Sequence, residues 1–218
     1  EMPPRHAKTT TVMHALAWRV ARDPSVTNAY MTYGSDLAES KSRIMRQHVV
    51  NDNVPLASDM ANLAEWRTPW GGGLLAGGIM GPLTGKGIDG FLVIDDPIKN
   101  REEAESEVIR DKIWEQFTDV AYTRLEGCAT VVVMATRWHP DDLIGRILAK
   151  EDELREELGD QLVIVRIRLP ALAEDGDPLG RQIGEALWAV RFNERRLNAI
   201  RAVHRGERLV TPTLMGKV

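Results

Sequence analysis

Two short, largely apolar runs constrain the fold more than any other feature of this chain. Residues 91–94 read Phe-Leu-Val-Ile and residues 129–135 read Ala-Thr-Val-Val-Val-Met-Ala, and polar residues follow each run. Strands that are apolar on both faces are typical of parallel sheets covered by helices. Because segments with helical periodicity alternate with these runs, the sequence predicts an α/β fold, a mainly parallel sheet with helices on both faces.

The periodicity of the remaining segments predicts the other elements. We expect helices at residues 8–22, 36–49, 102–125, 141–158 and 193–205, and further strands at residues 28–33 and 162–169. The glycine-rich region 66–90 predicts short strands or a hairpin, followed by a loop. The pattern changes near Pro170, which predicts one α/β domain over residues 1–170 and a loop-rich linker with a C-terminal helix over residues 171–218.

Composition excludes several classes of protein. The 218 residues are 43% hydrophobic and 28% charged, as in ordinary globular chains. No apolar run approaches the roughly 20 residues that span a bilayer, so we expect no membrane partner. The single cysteine, Cys128, excludes an internal disulfide and fits a reducing compartment. Because the net charge is −4, the surface as a whole is not basic. The arginine-rich stretch 191–208 is either a solvated helix face or a phosphate-facing patch.

The first residues carry a candidate phosphate site. Residues 3–10 read Pro-Pro-Arg-His-Ala-Lys-Thr-Thr at the head of a predicted helix. A phosphate loop needs backbone N–H groups, a lysine for the β- and γ-phosphates and a hydroxyl for Mg²⁺. Lys8 and Thr9 match the last two, whereas Met2 and Ala7 stand where glycines are expected. The alternative is a capped, solvated helix start.

Two adjacent carboxylates, Asp95 and Asp96, follow the first apolar run. The carboxyl ends of parallel strands are where such sheets bind ligands. One carboxylate in this position can hold Mg²⁺ through water, and the next can orient and deprotonate an attacking water. A strand that merely ends in a turn is the alternative. The joint pattern of Lys8-Thr9 and Asp95-Asp96 favours an ATPase.

A second polar segment follows the other apolar run. Thr136 and Arg137 are expected beside the phosphate site, where they could sense the γ-phosphate. His139, Asp141 and Asp142 form an alternative metal site, although aspartates are also common at helix N-termini.

Residues 81–87 also look like a phosphate loop, but two features argue against one. The first glycine is out of register, and Gly87 replaces the required hydroxyl. Lys86 could still touch a phosphate held by a neighbouring subunit.

Four motifs together closely resemble the terminase large subunits of tailed phages and prophages. They are residues 3–9, residues 85–87, the Leu-Val-Ile-Asp-Asp-Pro-Ile-Lys of residues 92–99 and the Ala-Thr-Arg-Trp-His-Pro-Asp-Asp-Leu of residues 135–143. The resemblance extends over about residues 3–195. It implies a P-loop NTPase of the RecA-like, additional-strand class. It also implies an ATPase motor that couples Mg²⁺-dependent ATP hydrolysis to translocation of double-stranded DNA into a procapsid.

The resemblance also implies residue roles and partners. The implied sites are ATP binding at Arg5, His6, Ala7, Lys8, Thr9 and Thr10, catalysis at Lys8 and Asp96, metal binding at Thr9 and Asp95, coupling at Thr136 and Arg137, and a possible trans-acting finger at Lys86. The implied cofactors are ATP and Mg²⁺. The implied partners are double-stranded DNA, a terminase small subunit, a portal protein and further copies of the chain in a ring. The expected location is the host cytoplasm, docked at the procapsid portal during packaging.

The resemblance is incomplete in ways that leave alternatives open. We expect an N-terminally truncated ATPase domain, because the family's strand before the phosphate loop has no counterpart in these residues. The family's C-terminal nuclease domain has no counterpart in them either. A catalytically inactive prophage remnant or interaction fragment is one alternative. Another P-loop DNA motor, such as a helicase, is the second.

Overall fold

The computed structural model describes residues 2–3, 5–81, 87–127, 129–158 and 164–204. The chain divides into two units, Ala7–Ile164 and a C-terminal unit made of Glu1–His6 with Val165–Val218. The boundary lies before the predicted one at residue 170, and the first six residues join the C-terminal unit.

A five-stranded sheet organises the larger unit, in the spatial order β2-β3-β1-β4-β5. β1 pairs in parallel with β3 and with β4, β4 pairs in parallel with β5, and β2 is antiparallel to β3. The mainly parallel sheet is therefore confirmed, and the hairpin expected in the glycine-rich region is β2–β3. The strands are β1 (Thr27–Thr32), β2 (Glu65–Arg67), β3 (Gly73–Gly78), β4 (Phe91–Asp95) and β5 (Thr130–Met134).

Helices of the larger unit cover both faces of this sheet. They are α1 (Lys8–Arg22), α2 (Ser35–Asn51), α3 (Arg101–Glu105), α4 (Glu107–Arg124), α5 (Leu143–Ala149) and α6 (Glu151–Leu158), whereas α7 (Glu194–His204) belongs to the C-terminal unit. Val93 packs in one core with α1 and α2, whereas Leu92 and Ile94 pack in a second core with α4. This alternation follows from the twofold period of a strand, and it explains why β4 is apolar without interruption. Within the described residues, no helix is long and apolar enough to cross a membrane.

Two helices predicted as single are each divided in two. Residues 102–125 form α3 and α4, separated by Ser106 with φ −80° and ψ 111°. Arg110 donates to the carbonyl of Ala104 at 2.7 Å, which satisfies an acceptor at the end of α3. Residues 141–158 form α5 and α6, which meet at Lys150. Apolar periodicity continues across such breaks, so the sequence pattern does not reveal them.

The strand predicted at residues 162–169 is wrong where it can be assessed. Residues 162 and 163 lie outside the described residues, and residues 164–168 are not in a strand. Val165 and Ile167 are 72% and 61% exposed. An alternating apolar pattern forms a strand only where a neighbour accepts its backbone hydrogen bonds. Among the described residues, β5 likewise has β4 as its only strand partner, and most of its side chains are half-buried.

The C-terminal unit has a small core of its own. Leu172, Ala186 and Leu197 are buried together, and Phe192 packs against them. Helix α7 contributes Leu197 to this core, and its span agrees closely with the predicted helix at residues 193–205.

Candidate functional site

The carboxyl edge of the sheet has the topology of a ligand site. β1 and β4 are neighbours, and the helices that follow them, α2 and α4, pack on opposite faces. In an open α/β sheet this reversal opens a crevice at the carboxyl ends of the two strands, which is where ligands bind. Asp95 is the last residue of β4 and lies at this edge.

Thr136 joins two of the predicted site elements. The Nζ of Lys8 donates to the Oγ1 of Thr136 at 3.0 Å, although the two residues are 128 positions apart. The N–H of Thr136 donates to the Oδ1 of Asp96 at 2.7 Å. Lys8 also lies close enough to Asp95 to influence its pKa. The predicted clustering of these side chains is confirmed, and their chemical roles remain predictions.

Asp95 is a buried carboxylate with an incomplete set of hydrogen bonds. The residue is 3% exposed, and its Oδ2 accepts from the hydroxyl of Tyr30 at 2.7 Å. Its Oδ1 is also buried and has no hydrogen-bond donor among the described residues. Burial raises the pKa of Asp95, while the hydrogen bond from Tyr30, the nearby Thr9 hydroxyl and the charge of Lys8 act in the opposite direction. A buried carboxylate oxygen of this kind, beside the Thr9 hydroxyl, fits a bound Mg²⁺, since hard cations prefer such oxygens.

Asp96 turns the chain sharply out of β4. Its φ is 45°, in the left-handed region that aspartate tolerates better than most residues, and its N–H donates to the carbonyl of Met134 at 2.8 Å. This turn places a second carboxylate at the strand end, as the sequence predicted. A cavity of about 10 Å³, close to the size of one water molecule, is lined in part by Asp96, Thr136 and Asp142.

Ala7 adopts the backbone conformation of the glycine that was expected there. It is the N-cap of α1, with φ 62° and ψ 20°, and it makes no side-chain capping bond. Glycine reaches this region without steric cost, whereas an L-residue loses roughly 1–2 kcal/mol. The N-terminus of α1 therefore presents N–H groups without a side-chain cap from Ala7, which suits an anion. Thr9 is half-buried in this first turn, and Thr10 is exposed.

An ion pair fixes the loop that follows β5. The Nε of Arg137 donates to the Oδ2 of Asp142 at 2.7 Å, and the Asp142 side chain is only 4% exposed. The Oδ1 of Asp142 accepts from the N–H of Gly145 at 2.9 Å and so caps α5. Arg137 therefore braces the loop that begins at Thr136.

Asp141 is engaged by two further arginines. Arg146 donates to both carboxylate oxygens, at 2.8 and 2.7 Å, and Arg110 of α4 donates at 3.1 Å. The hydrogen bonds from Arg146, with the help of Arg110, lower the pKa of Asp141 to about 2. Within the described residues, no group of three or more potential metal ligands comes together. The alternative metal site with His139 therefore has no support from the geometry.

Comparison with known protein families finds no family model that matches this chain. Comparison with curated protein sequences likewise finds no match. A functional proposal for the chain therefore rests on the geometry of its site and on the motifs of its sequence.

Two of the predicted site residues belong to the C-terminal unit, and a third lies outside the described residues. Arg5 and His6 belong to the C-terminal unit, where Arg5 is exposed with φ 61°. The ring of His6 stacks on Phe192 with centroids 4.7 Å apart. Lys86 lies outside the described residues. The ATP-binding role of the first two and the trans-acting role of the third remain predictions.

A larger cavity, of about 740 Å³, lies at the opposite edge of the sheet. Thr27, where β1 begins, and Asp89 and Glu126, just before β4 and β5, are among its lining residues. Asp59 adds a third carboxylate to this lining. Arg67 also lines the cavity but pairs with Glu65 at 2.9 Å, so the three carboxylates leave the lining acidic. An acidic lining disfavours an anionic ligand such as a nucleotide, so we place the candidate nucleotide site at the carboxyl edge.

Tyr30 is a site residue that the sequence analysis missed. Burial, followed by the charge of Asp95, raises the pKa of the Tyr30 hydroxyl well above its usual range, so it remains a donor. A tyrosine within a buried strand does signal a hydroxyl that needs a partner. The identity of that partner depends on the β1–β4 register, which places Tyr30 opposite Val93, two residues before Asp95.

Proposed function

We propose that this chain is the ATPase core of a DNA-packaging motor of the terminase large-subunit type. It is a P-loop NTPase of the RecA-like, additional-strand class, and it couples Mg²⁺-dependent ATP hydrolysis to translocation of double-stranded DNA. The observation that carries the proposal is the convergence of Lys8, Thr9, Asp95 and Thr136 at one edge of a mainly parallel sheet. The order of the motifs along the chain supports the same function.

Nucleotide binding uses the N-terminus of α1. The backbone N–H groups that follow Ala7 bind phosphate oxygens, and Lys8 contacts the β- and γ-phosphates. The hydroxyl of Thr9 and the Oδ1 of Asp95 would hold Mg²⁺. When bound, Mg²⁺ would neutralise the charge on the phosphate oxygens. Tyr30 keeps the Asp95 carboxylate oriented by donating to its other oxygen.

Hydrolysis uses Asp96. Its Oδ1 accepts from the N–H of Thr136, which fixes the carboxylate at the end of β4. The second oxygen is then available to align an attacking water and take its proton. General-base assistance of this kind contributes about 10²–10⁴-fold.

The bond between Lys8 and Thr136 gives a route from nucleotide state to the loop after β5. Phosphates attract the Lys8 ammonium, so ATP binding would draw Nζ away from the Oγ1 of Thr136. The loop that follows is held as one piece by Arg137 and Asp142. A change at Thr136 would therefore shift this loop as a unit, and the motor would use that shift to couple hydrolysis to DNA movement.

The remaining partners of the motor follow from the resemblance. We propose that copies of the chain form a ring, with Lys86 reaching the nucleotide of a neighbouring copy. The ring would dock on the portal protein of a procapsid in the host cytoplasm and receive DNA with the help of a terminase small subunit.

Phosphate release from ATP tests this function. We expect turnover by the parent chain that needs Mg²⁺ and rises with added duplex DNA. Asp96→Asn should lower turnover by about 10²–10⁴-fold while Mg·ATP still binds. Asp89→Asn is the matched control, because Asp89 is an exposed carboxylate at the opposite edge of the sheet. Equal turnover in the parent and Asp96→Asn, or a parent that binds Mg·ATP without any turnover, would overturn the proposal.

A further inference from the structure

The C-terminal unit has a charge balance opposite to that of the whole chain. In its described residues, eight arginines occur with five aspartates and glutamates, although the net charge of the chain is −4. Two of its exposed arginines, Arg191 and Arg196, lie over aromatic rings, and the exposed Arg195 is adjacent to Arg196 in the sequence. We call this group the arginine–aromatic patch, and it consists of Trp188, Arg191, Phe192, Arg195 and Arg196.

Aromatic rings order two guanidinium groups of the patch. The guanidinium carbon of Arg191 lies 5.2 Å from the ring centroid of Trp188 and 5.6 Å from that of Phe192. Arg196 lies over the ring of Phe192 at 5.5 Å. A guanidinium that stacks on a ring keeps its N–H edge free for acceptors and loses less conformational entropy on binding. The patch is therefore preorganised for planar, bidentate anionic groups.

Carboxylates neutralise other arginines of this unit, but not those of the patch. Arg181 pairs with Asp177 at 2.5 Å, and Arg201 lies 3.7 Å from Glu174. Within the described part of the chain, Arg191, Arg195 and Arg196 have no carboxylate within salt-bridge distance. Three exposed cations with no counter-charge point to an external polyanion.

We propose that the arginine–aromatic patch binds the phosphodiester backbone of double-stranded DNA. The choice of DNA as the polyanion rests on the motor function proposed above. The location of the site rests on the arrangement of the arginines. The rings favour backbone over base recognition, because guanidinium groups lie over the rings of Trp188 and Phe192, and His6 also stacks on Phe192. Phe192 has the least room for a base, and Trp188, although 37% exposed, already has Arg191 over its ring. Unpaired bases would compete with these groups for stacking, whereas the guanidinium edges match phosphate oxygens.

Fluorescence anisotropy with a labelled duplex of arbitrary sequence tests the patch, using the full chain without ATP. Each phosphate contact contributes about 0.9 to the slope of log affinity against log salt. Arg191→Gln/Arg196→Gln should therefore flatten the slope by about 1.8. The ratio of parent affinity to double-variant affinity should fall about tenfold between 50 and 200 mM salt. Arg43→Gln/Lys112→Gln removes the same charge from exposed positions of the sheet unit and should leave the slope unchanged.

A second variant protects the test against misfolding of the double variant. Arg195→Gln changes an exposed helix position and should flatten the slope by about 0.9. Equal slopes for the parent and both patch variants would overturn the proposal. So would arginine-dependent binding of poly-glutamate with no binding of duplex, which would assign the patch to an acidic protein. Mg·ATP binding measured on the same variants should be unchanged, so failure of this site is distinguishable from failure of the ATPase function.

Discussion

The hydrogen bond between Tyr30 and Asp95 is open to a quantitative test through Tyr30→Phe. The substitution keeps the ring in the core and removes a buried donor 2.7 Å from a carboxylate oxygen. Hydrogen bonds to charged groups contribute about 1.5–3 kcal/mol to the free energy of unfolding. For a chain of this size the midpoint of thermal unfolding should fall by about 3–12 °C. Tyr33→Phe is the control, because Tyr33 is exposed at the end of the same segment.

The pH dependence of this loss identifies Asp95 as the partner. Burial raises the pKa of Asp95, so the folded chain holds a proton that the unfolded chain has already lost, and stability falls as pH rises through that interval. Tyr30→Phe removes a donor that favours the carboxylate, so its penalty should grow with pH. Thermal unfolding at pH 5 and pH 7, repeated in an Asp95→Asn background, measures both effects. A penalty that is equal at both pH values and in both backgrounds would refute the assignment.

Three further changes test other parts of the site. Asp96→Glu lengthens the proposed base by one methylene, so the rate of phosphate release should differ from that of the parent. Mg·ATP affinity, measured by calorimetry, should stay similar. A loss of affinity would contradict the assignment of Asp95 to the metal and Asp96 to the attacking water. Ala7→Gly relieves the left-handed strain and should raise the free energy of unfolding by about 0.5–1 kcal/mol, whereas Ala15→Gly, within α1, should lower it by a similar amount in denaturant titrations. Arg146→Gln should raise the pKa of Asp141 from about 2 towards its ordinary value in NMR titrations, because the hydrogen bonds from Arg146 are the main cause of the low value. The contribution of this pair to stability is present at neutral pH and is lost as pH falls from about 4 to 2. An unchanged pKa would contradict the assignment of Arg146 as the main partner of Asp141.

Parts of the fold that depend on burial were predictable from the sequence. The uninterrupted apolar run of β4 indicated a strand covered on both faces, and Val93 and its neighbours do pack into two separate cores. Residues 164–168 show the limit of such patterns, because an alternation of apolar and polar residues looks the same whether or not a neighbouring strand is present. The break at Ser106 was hidden for a similar reason, since it depends on a long-range contact from Arg110 to a released carbonyl.

The candidate site was predictable where topology alone brings residues together. Parallel strands end at one edge, so Asp95 and Thr136 had to be close once both strands were identified. The partner of Tyr30 required the register of β1 against β4, which no local pattern encodes. The sequence showed only that Ala7 stands where a glycine is expected. The structure explains that expectation, because Ala7 has a positive φ.

Binding of ATP with and without Mg²⁺ is the most direct test of the central claim, measured by calorimetry on the parent chain, Lys8→Ala and Asp95→Asn. The parent should bind ATP with Mg²⁺ and much more weakly without it. Lys8→Ala should lose binding in both conditions, because a phosphate contact is removed. Asp95→Asn should lose only the gain that Mg²⁺ provides, because its Oδ1 is the proposed metal ligand. Equal ATP affinity in all three proteins, or affinity in the parent that Mg²⁺ does not change, would contradict the account.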